Sequence, residues 1–314
     1  MLTVFSLPKP FIGHIGVIQR NALGSWMRLG EDVQVILLGD EAGIAEAARE
    51  VGAEHIPKID RTKYGTPLVN SAFAAAARAA RHRLLCYVNG DIMFTDELTR
   101  AVASIRKNRF LMVGRRWNVD ITEPWDFSNP QWRKKLLAFT RDRGTLYQHN
   151  AIDYFVFPRD SKLIELPPFA VGRPRWDNYF LFRCRQLGYP LIDATCVITA
   201  VHQNHDYAHV PRGKGPPHLL ASEGGREGWR FCPEGDANIK LLGDERRRFD
   251  VFDATHKLTK SGLQRTTGPE YWRRYRSTYA VLHPRQEVLV DTVKSIRNIL
   301  RRIGLLSRLK VGKL

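Results

Sequence analysis

The chain has 314 residues, of which 43% are hydrophobic and 10% are aromatic. This apolar content is sufficient for one large core and excludes a wholly disordered chain. The formal net charge of +17 indicates an anionic partner, which could be a nucleotide diphosphate, an acidic lipid surface or nucleic acid. The four cysteines are far apart and form no Cys-x-x-Cys pair, so neither a zinc knuckle nor a disulfide framework is indicated.

A cytoplasmic location is predicted from what the sequence lacks. Residues 1–10 carry no charged leader and no small-residue cleavage site, and no stretch of about 18 apolar residues could span a bilayer. Residues 291–314 hold seven basic side chains and one acid, with apolar residues at helical spacing. We therefore expect an amphipathic helix on the anionic inner face of a membrane, with a helix packed on the domain as the alternative.

Strands and helices alternate along the first two thirds of the chain. Because the strands are apolar throughout, they indicate a mostly parallel α/β sheet with helices on both faces, in which ligands bind beyond the carboxyl ends of the strands. The hydrophobic pattern predicts strands over residues 4–7, 33–38, 55–56, 84–88, 110–114, 154–157 and 197–201, and helices over residues 15–29, 44–51, 68–81, 96–107 and 176–187.

Four segments are predicted. Residues 1–210 form the catalytic domain, and the Gly- and Pro-rich residues 209–235 form a mobile loop. Residues 236–290 form a C-terminal extension that packs on the domain, and residues 291–314 form the basic tail.

An acidic residue follows the fourth predicted strand, in the segment Asn89-Gly90-Asp91. A carboxylate at a strand end can hold the Mg²⁺ or Mn²⁺ that neutralises a diphosphate leaving group. Asp91 is the first candidate for this ligand. The alternative is a turn in which Asn89-Gly90 adopts positive φ and Asp91 caps the next segment.

The order of elements and Asn89-Gly90-Asp91 resemble the GT-A glycosyltransferases, of the nucleotide-diphospho-sugar transferase superfamily, with their Asp-x-Asp motif. The resemblance covers roughly residues 1–210, and the motif is degenerate because Asn89 replaces its first acid. It implies a Rossmann-type sheet, with Asp91 on Mn²⁺ or Mg²⁺ and Asn89 facing the ribose or the metal. It also implies transfer of a sugar from a nucleotide diphosphate to a hydroxyl of a glycan or a lipid-linked saccharide.

Two histidines follow the last predicted strand, His202 and His205. Imidazole suits Mn²⁺ and Zn²⁺, and alternation along an extended segment would place these two side chains on opposite sides. We therefore expect one of them to complete the metal site, as the resemblance also implies. A polar loop with a core histidine is the alternative, and a zinc hydrolase is disfavoured because no His-Glu-x-x-His motif is present.

Asp177 falls in the first turn of a helix whose start is marked by Pro174. Simple helix capping is one interpretation. The resemblance to inverting GT-A enzymes implies instead that Asp177 is the catalytic base, which removes the proton of the acceptor hydroxyl. Arg173 would then lie near phosphate or an acidic acceptor, and Asp153, which opens a strand, is the second candidate base.

Further binding residues are predicted from their positions. Helix-cap, turn and core positions are the alternatives for all of them. By resemblance, the base and ribose of the donor would meet Ser6, Leu7, Pro8 and Asp40 at the ends of the first two strands. Trp117 and Trp176 could stack on acceptor sugars, with Asp120 and Asn178 beside them.

Two function classes remain open: a sugar transferase, or a catalytically silent protein of the same fold that binds nucleotide sugars or polyanions, which Asn89 suggests. Specific nucleic-acid binding is disfavoured because no recognition motif is present. A nucleotidyltransferase would open with a Gly-rich phosphate loop, which residues 6–15 do not supply.

Overall fold

The computed structural model describes residues 1–205 and 233–284. Thirteen strands and eight α-helices lie in these ranges. The strands are β1 Leu2–Ser6, β2 Val33–Leu38, β3 Glu54–Ile56, β4 Leu84–Val88, β5 Ile92–Met93, β6 Leu111–Val113, β7 Arg116–Val119, β8 Thr145–Leu146, β9 Tyr154–Pro158, β10 Leu191–Asp193, β11 Ala200–Gln203, β12 His256–Thr259 and β13 Gly262–Arg265. The helices are α1 Gly13–Trp26, α2 Ile44–Val51, α3 Val69–Ala79, α4 Glu97–Ser104, α5 Trp132–Arg143, α6 Trp176–Gln186, α7 Pro233–Leu242 and α8 Pro269–Leu282.

Nine strands form the main sheet, in the order β13-β12-β10-β6-β9-β4-β1-β2-β3. Strand β9 runs antiparallel to β4 and β6, and β13 runs antiparallel to β12; the other neighbours are parallel. The predicted mostly parallel α/β sheet is therefore confirmed. Since β1 and β4 are parallel neighbours, the segments that follow them meet at one edge of the sheet.

Apolar residues cover both faces of the sheet, as the uniformly apolar strands predict. Along β1, Leu2 and Val4 belong to the core that includes α1, whereas Phe5 belongs to the core that includes α3 and α6. Stacked and edge-on rings fill this second core: Phe73 stacks on Phe157 at 5.5 Å and meets Phe180 edge-on at 5.4 Å.

A second, four-stranded sheet has the order β5-β11-β7-β8. The strand predicted over residues 197–201 is displaced: it forms as β11 and pairs with β5 and β7 rather than with the main sheet. Two of these strands lie within residues 115–148, where no strand or helix was predicted, and the same range contains α5. Strand β5 begins directly after Asp91, and its pairing with β11 places His202 opposite Ile92.

The C-terminal part of the described chain joins the main sheet, because β12 pairs in parallel with β10. Arg274 on α8 binds Asp250 at 2.8 Å and Asp253 at 2.6 Å, which attaches this helix to the domain. Helix α7 begins at Pro233, inside the range predicted as a loop; residues 206–232 and the basic tail lie outside the described residues. Among the described helices, none is long and apolar enough to cross a membrane.

Phe73 offers a test of the ring-filled core. It is fully buried, so Phe73→Ala removes its packing and leaves a cavity, and we expect a loss of about 3–5 kcal/mol of unfolding free energy. Phe252, which is 44% exposed, is the matched control, and Phe252→Ala should cost less than about 1 kcal/mol. Urea unfolding measures both; equal losses would contradict this account of the core.

Candidate active site

A cavity of about 640 Å³ opens at the carboxyl edge of β1 and β4. Its wall combines residues 7–10 after β1, residues 89–91 after β4, residues 147–148 and 150–153 before β9, and residues 171–178 at the start of α6. Both histidines of the β11 segment also line it. Four separate chain segments thus bring Asp91, His202, His205, Asp153 and Asp177 to one cavity.

Asp91, His202 and His205 form a compact cluster. The Nε2 atom of His205 lies 3.0 Å from Oδ2 of Asp91, and Nε2 of His202 lies 3.8 Å from the same oxygen. One potential ligand atom from each residue lies within 4.8 Å of the others. The prediction that alternation separates the two histidines is wrong, because β11 ends at Gln203 and the chain no longer follows the two-residue repeat at His205.

The burial and the charges of this cluster shift the pKa values of His202 and Asp91 in the directions that favour cation binding. Burial, reinforced by the charge of Arg116, lowers the pKa of His202 to about 3, so its imidazole is neutral at neutral pH. Burial opposes ionisation of Asp91, but its electrostatic interactions with His202, His205 and Lys9, including a hydrogen bond with His205, outweigh burial and hold the pKa of that carboxyl well below its usual range.

Two atoms of the cluster lack a hydrogen-bond partner among the described residues: Oδ1 of Asp91 and Nδ1 of His202, both buried. Orphaned buried polar atoms are rare in folded proteins and call for an unseen ligand or ion. A carboxylate with two imidazoles is a donor set for Mn²⁺, Zn²⁺ or another divalent transition metal. The residues present therefore fit a divalent cation.

Two buried glutamines hold the loops that carry the cluster. Gln19 accepts from the Lys9 amide at 2.7 Å and donates to the Lys9 carbonyl at 2.8 Å. A Cβ on Gly90 would lie 2.8 Å from the Gln19 side chain, so the absence of a side chain there permits this approach. Gln203 donates to the carbonyls of Asp91 and Ile18, which joins the β4 loop to α1.

Asp177 lies in the first turn of α6, on the cavity wall and partly exposed. Burial raises the pKa of its carboxyl to about 6, with a further contribution from the charge of Asp153, against the stabilising hydrogen bond of the Asn178 amide. A carboxylate that titrates close to neutrality is suited to general-base catalysis. The residue before the helix, Arg175, has φ of 86°, an uncommon conformation for a non-glycine residue and one that clusters at functional sites.

Asp153 is engaged at both carboxylate oxygens. Oδ1 accepts from Asn89 Nδ2 at 2.6 Å, and Oδ2 accepts from Arg116 Nη1 at 2.9 Å. Arg116 and Asp153 are both more than 90% buried. Because an ion pair and an amide already occupy Asp153, Asp177 is the stronger of the two candidates for a base.

The other predicted binding residues are distributed around the cavity. Leu7 and Pro8 line it, whereas Ser6 is fully buried within β1 and Asp40 pairs with Arg61. Arg173 lines the cavity, but its guanidinium binds Glu234 at 2.7 Å.

On the predicted acceptor side, Trp176 lines the cavity but is buried against Tyr87, with ring centroids 5.2 Å apart. Asn178 also lines it and donates to the Phe249 carbonyl at 2.9 Å. Trp117 lies in β7, paired with Val201, and Asp120 lines a separate cavity of about 410 Å³, where it accepts from Asn204.

Sequence reasoning missed Arg116, Gln19, Gln203 and Glu234. Only a weak signal marks them: Gln19 is a polar residue beside Ile18 within the apolar stripe of α1, and Gln203 directly follows an apolar strand. Glu234 receives hydrogen bonds from Thr62, Thr66 and Arg173, none of them close to it in sequence.

No protein-family model and no curated protein sequence matches the chain. Among solved structures it is similar to a mannosyltransferase from Pyrobaculum calidifontis in complex with GDP-Man and Mn²⁺, at 14% identity over 98% of this chain and 87% of the other, with a TM-score of 0.42. It is also similar to glucosyl-3-phosphoglycerate synthase from Mycobacterium tuberculosis in complex with Mn²⁺, UDP and phosphoglyceric acid, at 13% identity over 77% of each chain, with a TM-score of 0.43. These structural neighbours are glycosyltransferases. Since both TM-scores lie below 0.5, the fold class of this chain rests on its own strand order.

The cation site is tested by titrating the protein with Mn²⁺ alone in a calorimeter. Asp91→Asn removes the charged member of the cluster, so we expect the affinity for Mn²⁺ to fall by at least about tenfold. The control is Asp160→Asn, whose carboxyl is highly exposed and distant in sequence from every cluster residue. Undiminished binding by Asp91→Asn would rule out this cluster as the cation site.

Asp177 also predicts how stability depends on pH. Its pKa is about 6 in the folded protein and 3.8 in an unfolded chain, so its ionisation destabilises the folded state as pH rises from about 4 to above 6. Asp177→Asn should therefore be more stable than the wild type at pH 7.5, by about 3 kcal/mol. The two should be nearly equal at pH 4. Thermal unfolding across this range checks the sign; a constant difference would exclude a raised pKa at Asp177.

Proposed function

We propose that this chain is a GT-A-type glycosyltransferase that transfers a sugar from a nucleotide diphosphate to an acceptor hydroxyl. The observation that carries the proposal is that Asp91, His202 and His205 line the same cavity as Asp177, a carboxylate with a pKa of about 6. A cation cluster and a general base are the two groups that direct displacement at an activated sugar requires.

Asp91, His202 and His205 would hold Mn²⁺ or Mg²⁺. Two imidazoles in the set favour Mn²⁺, because Mg²⁺ prefers oxygen ligands. When bound, the cation neutralises charge on the diphosphate leaving group.

The donor would enter between the loops that follow β1 and β4. Leu7, Pro8 and Ile15 supply an apolar wall for the base, and the backbone around Lys9 is held in place by Gln19. Lys9 lies close enough to Asp91 to lower its pKa, so its ammonium contributes positive charge where the diphosphate would lie. The basic character of the whole chain would further attract an anionic donor.

Asp177 would accept the proton of the acceptor hydroxyl. Its carboxyl is ionised at neutral pH yet basic enough to take a proton, which is the compromise that general-base catalysis needs. Its place at the N-terminus of α6 stabilises the carboxylate through the helix dipole and the Asn178 amide. Direct displacement with one base implies inversion at the anomeric carbon.

The acceptor in this proposal is a glycan or a lipid-linked saccharide. The enzyme would act in the cytoplasm, and its basic tail, residues 291–314, would hold it at the anionic inner face of the membrane. Four arginines lie on the cavity wall. Arg116, Arg173 and Arg175 pair with Asp153, Glu234 and Glu245, and Arg248 adds positive charge that suits an acceptor or donor with negative charge.

Transfer is tested by incubating the protein with UDP- and GDP-sugars, Mn²⁺ and saccharide acceptors. Asp177→Asn should lower kcat by at least about 100-fold, since a general base contributes 10²–10⁴-fold. In the wild type, kcat/KM should rise with pH and level off above a midpoint near 6, because Asp177 must lose its proton.

The control is the affinity of Asp177→Asn for Mn²⁺ with UDP or GDP, which should stay close to that of the wild type because Asp177 is not in the cation cluster. Nucleotide binding without turnover by the wild-type protein would favour the alternative, a catalytically silent nucleotide-sugar-binding protein. Wild-type rates in Asp177→Asn would remove its role as base.

A further inference from the structure

Asn89 and Asp153 are direct neighbours across two antiparallel strands. The last residue of β4, Val88, pairs with the first residue of β9, Tyr154, and one step further Asn89 lies opposite Asp153. The Asn89 amide donates to the Asp153 carbonyl at 2.9 Å, and the side chains meet through a hydrogen bond of 2.6 Å. These two positions therefore share one small volume beside Asp91.

Only one of these two positions can carry a negative charge. Like charges directly opposite each other on neighbouring strands destabilise the pair, and burial increases this cost. Asp153 is 6% exposed and its second oxygen is paired with Arg116, so position 153 already has the cation that stabilises a buried carboxylate. A carboxylate at position 89 would lie at hydrogen-bond distance from the Asp153 carboxylate, and neither group would have a proton to donate.

Asp153 is also close to the cation cluster. Its hydrogen-bond partner Asn89 is two residues before Asp91 in the loop after β4. Burial raises the pKa of Asp153 against the charge of Arg116, and the charge of Asp91 adds to the rise, so the two carboxyls interact. Both residues line the same cavity. The negative charge of Asp153 therefore lies close to position 89, which the first acid of an Asp-x-Asp motif would occupy.

We propose that Asp153 supplies the negative charge that the motif lacks at position 89. Asn89 is the positioning residue, and it holds Asp153 through the hydrogen bond between their side chains. This inference rests on the cation site of the proposed function. It explains why Asn89 is compatible with a complete site, and it assigns Asp153 to the electrostatics of the cation rather than to proton transfer.

The test exchanges the two side chains. In the double variant Asn89→Asp/Asp153→Asn, the new amide at 153 donates to the new carboxylate at 89, and its carbonyl oxygen still accepts from Arg116. The hydrogen bond and the net charge are both kept, with the charge on the other strand. Each single variant loses one of them: Asp153→Asn removes the charge, and Asn89→Asp places two carboxylates face to face.

Two readouts that do not depend on transfer are used: affinity for Mn²⁺ by calorimetry and Tm of the metal-free protein. We expect Asp153→Asn to bind Mn²⁺ at least about tenfold more weakly than the wild type. Asn89→Asp should lower the metal-free Tm by several degrees, about what 1–2 kcal/mol produces in a chain of this size. The exchanged variant should regain the wild-type Tm within about two degrees and bind Mn²⁺ within about threefold of the wild type.

Three outcomes would overturn the inference: wild-type Mn²⁺ affinity in Asp153→Asn, an unchanged metal-free Tm in Asn89→Asp, or an exchanged variant that binds Mn²⁺ no better than Asp153→Asn. The first outcome would show that the charge of Asp153 does not affect cation binding. The other two would show that positions 89 and 153 cannot exchange the negative charge. If the exchange restores Mn²⁺ binding while the wild type transfers no sugar from any donor, the proposed function fails and this inference stands.

Discussion

A buried carboxylate at the end of a strand is the constraint around which this site is organised. An ionised group taken out of water is costly unless opposite charge or hydrogen-bond donors compensate it. Asp91 meets this requirement through His205, His202 and the nearby Lys9, and it keeps one buried oxygen without a partner among the described residues. The pairing of β5 with β11 brings the imidazoles to it, so the small sheet determines whether the cluster exists.

The surrounding charges divide into two groups. Asp153 and Glu234 are each matched by an arginine, Arg116 and Arg173, and by further hydrogen bonds, so they are structurally satisfied. Among the described residues, Asp177 forms no comparable ion pair. Burial raises its pKa, and the backbone amides of the helix terminus and the charge of Arg175 oppose this rise. The ionisation of this carboxyl is unfavourable, whereas Asp153 and Glu234 in the same region are paired. We therefore expect Asp177 to serve function at the expense of stability.

Several elements were predictable because local sequence determines them, whereas the 12-residue α5 and the 14-residue α8 were not predicted. The bounds of β2, α2 and β4 agree with the prediction, since apolar runs and turn residues delimit them clearly. The strands of the small sheet and β10 were missed or displaced because they have only two to four residues, too few to show a period. The antiparallel direction of β9 was not predicted either, because strand direction depends on pairing rather than on residue type.

By itself the sequence determined an α/β sheet and an acid at a strand end, because hydrophobic pattern and turn chemistry are local properties. It also marked Asp177 as the first-turn acid of a helix. Only the tertiary structure decided that His202 and His205 both reach Asp91, that Arg116 and Asn89 engage Asp153, and that Glu234 binds Arg173. The partners in these contacts are between 37 and 114 residues apart in the sequence, and a one-residue change in where a strand ends redirects a side chain. Such contacts depend on register and pairing, which a single sequence does not specify.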